Sequence, residues 1–212
     1  MGSVPDSVVR MNSDFVFASR DEAASHYWHL PEVTRPAHAN TQWLAFRFRL
    51  DGMAAHSPAS HFAVVLRARL GFDASLRPAT ISGRGLTLGD TSLAQPAPGN
   101  RYAMQPGFGG ARGAQIESFW PGGNFLYRDS GVFAQGLRDH VWYRVQLHVN
   151  DARWIAVEIA GDDDLPQRAC VQDRAEHPVA EGATGALIAL GRGPHDSDEW
   201  SAQFRDIACG WF

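Results

Sequence analysis

The stretch QWLAFRFRL at residues 42–50 constrains the fold more tightly than any other. Leu44, Phe46, Phe48 and Leu50 fall at every second position, with Trp43, Ala45, Arg47 and Arg49 between them. Side chains of a β-strand alternate between its two faces, so one face here is apolar and the other carries tryptophan and arginine. A slip of one residue would bury the guanidinium groups, which fixes the register. The segment HFAVVLRARL at 61–70 repeats the pattern, with Phe62, Val64, Leu66, Ala68 and Leu70 predicted inward and His61, Val65, Arg67 and Arg69 outward. LRDHVWYRVQLHVNDARWIAVEIAG at 137–161 predicts two strands joined by a short polar turn. Tyr143, Val145, Leu147 and Val149 share its core face with Ile155, Val157 and Ile159. Trp142, Arg144, Gln146 and His148 share the opposite face with Trp154, Ala156 and Glu158. That second face is too polar to bury and too aromatic to be plain surface, which marks it as a candidate binding face.

Further strands are predicted at 14–18, 84–88, 114–119, 185–190 and 203–209, separated by Gly/Pro turns at 97–100, 106–113 and 121–123. One short helix is expected at 20–26, with Ser19 as its N-cap. Many short strands and little helix predict an all-β, two-sheet antiparallel sandwich of the jelly-roll type. A chain of 212 residues fits a single core, here taken as 14–212 behind an N-terminal arm at 1–13. No apolar run approaches the roughly 20 residues that span a bilayer, so no membrane insertion is expected. The opening MGSVPDSVVRMNSDF lacks the apolar stretch of a secretory signal, and the compartment stays open. A net charge of −4 disfavours a nucleic-acid partner, because phosphate binding needs a positive surplus. All 19 basic residues are arginine, so any cationic surface consists of planar guanidinium groups that bind oxyanions bidentately. Cys170 and Cys209 are too few for a disulfide framework or a zinc site and are expected to be free, buried thiols.

Four segments resemble the closing part of the concanavalin A-like lectin/glucanase superfamily, which includes laminin-G-like domains. They are LRDHVWYRVQLHV at 137–149, WIAVEI at 154–159, TGALIALG at 184–191 and FRDIACGWF at 204–212. The opening DFVFAS, followed by a loop with Trp28, is similar too. The resemblance implies a jelly roll with one concave face, on which members of the superfamily bind or cleave carbohydrate. Fold alone does not fix function, so the site has to be argued from its residues.

Three functional classes follow. Glycoside hydrolysis needs two carboxylates flanking the bond, about 5–9.5 Å apart. Jelly-roll glucanases of this superfamily alternate them on one strand, whereas Glu117 and Glu158 each stand alone on theirs. A polysaccharide lyase is the more tempting enzyme. VLRARL at 65–70, QIE at 115–117 and YRDSGVFAQ at 127–135 resemble, in order, the motifs of jelly-roll alginate lyases. Glu117 and Phe133 replace the catalytic His and Tyr of those motifs, which would remove both proton-transfer groups. The residues left for such an enzyme are Arg67, Gln115, Glu117, Tyr143 and His148. Non-catalytic recognition of a polysaccharide or glycoconjugate needs only aromatic platforms and planar polar groups. Trp43, Trp120 and Trp142 supply the first, and Arg47, Arg49, Arg67, Arg69, Gln115, Glu117, Arg144 and His148 the second. The Arg47/Arg49 and Arg67/Arg69 pairs suit an acidic glycan, or are paired by acids on neighbouring strands. A structural or virion assembly component is the third class. No cofactor is expected, although Asp162, Asp163 and Asp164 could hold a structural Ca²⁺. HYWH at 26–29 lacks a third zinc ligand, and GFGGARG at 107–113 lacks the βαβ setting of a phosphate loop.

Overall fold

In the computed structural model, Thr41–Asp51 forms one continuous strand whose burial alternates as its sequence does, with Leu44, Phe46, Phe48 and Leu50 fully enclosed. The structure describes residues 8–10, 15–18, 26–51, 61–72, 78–90, 112–119, 126–127, 137–172, 184–191 and 201–212. In chain order the strands are β1 Val8–Arg10, β2 Phe15–Ala18, β3 His26–His29, β4 Thr41–Asp51, β5 His61–Phe72, β6 Pro78–Asp90 and β7 Arg112–Phe119. There follow β8 Leu126–Tyr127, β9 Trp142–Asn150, β10 Trp154–Gly161, β11 Gln167–Gln172, β12 Gly185–Gly191 and β13 Ser201–Trp211. The short helix and the turns expected at 97–100 and 121–123 fall largely outside the described residues. His26, placed at the end of that helix, instead opens β3.

All strand pairs are antiparallel and form two sheets. A seven-stranded sheet runs β1-β13-β4-β9-β10-β11, with β2 also on β13, and a six-stranded sheet runs β3-β12-β5-β6-β7-β8. Val8–Arg10, within the stretch read as an arm, pairs with Ala208–Gly210. The core lies between the sheets. Phe48, Tyr143, Leu147, Val157 and Phe204 enter it from the seven-stranded sheet, and Val64, Leu66 and Leu86 from the six-stranded one. This is the jelly-roll sandwich that the alternation predicted, and it encloses Tyr143 between the sheets with its ring stacked on Phe48 at 5.3 Å.

The predicted register of β5 is interrupted after Leu66 and resumes with Ala68 buried and Arg69 exposed. At the interruption the strand bulges: Leu66 opposes Arg84, and the next pair is Arg69 with Ser82. Arg67 takes a left-handed φ of 52° and turns inward, so it is buried rather than outward. Val65, also predicted outward, is fully enclosed. The partner strand accommodates this with glycine. Gly83 has φ 153°, and a Cβ there would meet Val65 Cγ1 at 2.3 Å. A Cβ on Gly85 would meet the Val64 carbonyl oxygen at 1.8 Å, so β6 can approach β5 only without a side chain at that position.

Candidate functional site

The hairpin forms as predicted: β9 pairs with β10 from Val149–Ile155 to Tyr143–Gly161, across a turn in which Asn150 accepts from the Arg153 and Trp154 amides. β11, which the sequence reading missed, extends the sheet on the far side of β10. Two rows of outward residues therefore lie side by side. One is Trp43–His148–Ala156–Cys170 and the other Ala45–Gln146–Glu158–Arg168. Ala156 is the small member at the centre, and the larger side chains around it enclose a depression of about 390 Å³. Gln146, His148, Glu158, Arg168 and Cys170 line it. Trp154, two residues before Ala156 on the same face, leaves 42% of its surface exposed.

Three polar groups of this depression, Glu158, Arg168 and His148, have partners. Arg168 Nε donates to Glu158 Oε2 at 2.5 Å across adjacent strands. His148 packs edge-on against Phe212 at 5.5 Å. Burial pushes the His148 imidazole below its ordinary value of 6.5, and the nearby Glu158 carboxylate opposes that shift. The cysteines lie on opposite faces of the sheet: Cys170 is exposed in the depression, while Cys209 is buried in the core, its thiol pushed up to about 11 by desolvation. They are free, as expected, but only Cys209 is enclosed. With β4, β9 and β10 between their strands, they cannot pair.

Trp142, Arg47, Arg49 and Arg144 also share this outer face, but Trp142 is no open platform. Arg205, a residue the sequence reading did not single out, stacks its Cζ 3.8 Å from the Trp142 ring centroid, and Arg49 and Arg47 lie over it at 5.6 and 5.9 Å. The half-buried indole thus serves as a post for three guanidinium groups. Arg47 is paired with Asp162, and Arg49 donates to Asp51 at 3.2 Å. Acids therefore engage both, although not from neighbouring strands as the sequence suggested: Asp51 ends β4 itself and Asp162 lies in the turn after β10.

The remaining candidates separate. Arg67 donates to Asp151 Oδ1 at 2.8 Å and to the Asn40 carbonyl at 3.0 Å, and lies 4.2 Å over the Trp211 ring. Burial pulls its guanidinium below its ordinary pKa, with Asp151 opposing. Gln42, another residue missed from sequence, sits beside it at 2% exposure. It accepts from the Arg67 amide at 2.8 Å and donates to the Thr184 carbonyl at 2.6 Å. These contacts tie the two sheets together, so Arg67 is a strut and not a ligand group. Arg69 is exposed on β5, opposite Ser82. Gln115 and Glu117 lie on β7 of the six-stranded sheet, in register with Thr87 and Gly85, whereas His148 belongs to the other sheet. Tyr143 is in the core, accepting from the Arg138 amide at 2.8 Å. The set proposed for a lyase therefore does not converge. Trp120 lies outside the described residues. In the acidic run, Asp162 and Asp164 are engaged by Arg47 and Arg138, and no group of three or more potential metal ligands occurs among the described residues.

The two sheets, their pairing order and the core between them define a jelly-roll sandwich of the concanavalin A-like fold. No protein-family model matches the sequence, and no curated protein matches it either. Solved structures do. A seed lectin of Lotus tetragonolobus is 7% identical with a TM-score of 0.51, over 99% of this chain and 95% of the lectin. The catalytic domain of a GH131 β-glucanase from Podospora anserina is 10% identical at 0.49, over 92% and 70% of the two chains. The exoplasmic/lumenal domain of VIP36, in its Ca²⁺/Man3GlcNAc-bound form, is 10% identical at 0.47, over 96% and 89%.

Proposed function

We propose that this protein is a non-catalytic carbohydrate-recognition module that binds its glycan on the outer face of the seven-stranded sheet. The observation that carries this reading is the depression over Ala156, lined by the Glu158–Arg168 pair, Gln146 and His148, with the exposed Trp154 two residues from Ala156 on the same strand face. An exposed aromatic face stacks on the apolar face of a sugar ring, while fixed carboxylate, amide and guanidinium groups bond its hydroxyls. Among the described residues, Glu158 is the single carboxylate lining the depression and is held by Arg168, whereas hydrolysis of a glycosidic bond uses two carboxylates. The occurrence of the fold in a lectin agrees with this reading.

Native gels cast with neutral and acidic polysaccharides test it. The protein should be retarded without clearing the polymer, and Trp154→Ala should weaken retardation about tenfold, the scale of losing one well-packed aromatic contact. A cleared zone would overturn the non-catalytic reading. Retardation that survives Trp154→Ala intact would move the site elsewhere.

A further inference from the structure

Beside the depression, the same outer face carries a row of three arginines on three adjacent strands. Arg205 of β13 pairs in register with Arg47 of β4, and Arg47 with Arg144 of β9. Like charges directly opposite one another across strands are destabilising unless something neutralises them. The carboxylates at hand do so incompletely. Asp162 takes Arg47, Asp51 takes Arg49, and Asp206 stands 3.9 Å from Arg205, at the outer limit of an ion pair. Arg144 is exposed, and no carboxylate of the described residues pairs with it. The Nε groups of Arg47, Arg49 and Arg205 are enclosed with no acceptor among the described residues. Arg205 of β13 stacks on the Trp142 ring, and Arg47 of β4 lies over the same ring while paired with Asp162, so little freedom of these two side chains is left to lose on binding an anion.

Arg144 is two residues before Gln146 on β9, which puts the row about 7 Å from the depression at the rise of an antiparallel strand. We infer that the glycan is acidic, with a sulfate or carboxylate group seated against Arg144 between Arg47 and the edge of the depression. This inference rests on the proposed reading of the depression and adds the substrate class to it. An oxyanion there completes the charge balance of the row and accepts bidentate hydrogen bonds from a planar guanidinium.

The test uses the full chain and four soluble probes: dextran, dextran sulfate, polygalacturonate and duplex DNA. Dextran sulfate or polygalacturonate should bind, dextran should bind more weakly, and whichever acidic polymer binds better identifies the anionic group. Arg144→Ala removes an exposed side chain, so folding is preserved, and it should raise the Kd for the acidic polymer about tenfold while leaving the dextran Kd unchanged. Equal binding of dextran and dextran sulfate, or acidic binding indifferent to Arg144→Ala, would overturn the inference while leaving the recognition reading intact. Equal, Arg144-dependent binding of DNA would overturn it by revealing a general polyanion surface. Failure of every polysaccharide to bind would sink both.

Discussion

Gln42 offers the sharpest test of how the sheets are joined. It is 2% exposed, and its amide accepts from the Arg67 N–H while donating to the Thr184 carbonyl. Gln42→Leu keeps the volume near that of glutamine but removes both functions. The Arg67 N–H and the Thr184 carbonyl are then left without this partner, in a place water reaches poorly. Each orphaned buried group costs about 1–3 kcal/mol, so the substitution should cost about 3 kcal/mol, less a small gain from burying the leucine. For a chain of this size each kcal/mol moves Tm by about 2–4 °C, which gives a fall of about 6–12 °C. Thermal unfolding followed by circular dichroism measures this, with Gln172→Leu as the control. Gln172 is exposed, makes a 3.5 Å contact to the Ala152 carbonyl, and should change Tm little. Gln42→Glu keeps the acceptor but buries a carboxylate against a carbonyl, so its penalty should grow as pH rises past the carboxylate range. A Gln42→Leu protein melting within about 2 °C of wild type would refute the bridging role, because that shift is smaller than one orphaned group should cause.

Two further predictions concern titration. His148 should titrate below its ordinary value of 6.5 in a proton NMR series, and Glu158→Gln should lower it further by removing the favourable carboxylate. Its neutral form is favoured by folding, so this stability is fully present above pH 6.5 and is lost as pH falls through the folded value. Cys209 runs the other way. Its folded pKa of about 11 exceeds the ordinary 9.0, so the associated stability is present below pH 9 and declines as pH rises toward 11. Cys209→Ala should flatten that decline relative to wild type in denaturant titrations at pH 8 and pH 10.5.

The alternation of apolar and polar residues identified β4, β9 and β10 and most of the core, because each strand has one face buried and the pattern repeats without interruption; β13 was found as well, although a bulge between Arg205 and Ala208 shifts its period. The alternation put Trp43, Arg47 and Arg49 on the polar face of β4 and Trp142, Arg144 and His148 on that of β9; that these are one sheet face follows from the β4–β9 pairing, which no local pattern encodes. It failed at Arg67, where one bulge reverses the facing of the side chain. The signal was available in the next strand, since ISGRGL carries two glycines in a strand interior, a pattern that marks a bulge or a close backbone approach. β11 escaped notice because QRACVQ sets only Ala169 and Val171 among polar residues and cysteine. The separation of Gln115 and Glu117 from His148 depends on long-range strand pairing, which no local pattern encodes. Arg205 and Gln42 follow the period correctly; only their partners, Trp142 for the first and Arg67 and Thr184 for the second, brought from distant strands or the opposite sheet, give them a role.

The depression contains its own chemical reporter. Cys170 is an exposed thiol on its lining, while Cys209 is buried with its thiolate suppressed at neutral pH, so alkylation of the native protein should label Cys170 alone. The rate of Cys170 modification by iodoacetamide, measured with and without a polysaccharide that retards the protein in gels, tests directly where the glycan sits. Occupation of the outer face of the seven-stranded sheet predicts a slowing of several-fold that Trp154→Ala abolishes. An unchanged rate under saturating polysaccharide would contradict the assignment of the binding site to this face.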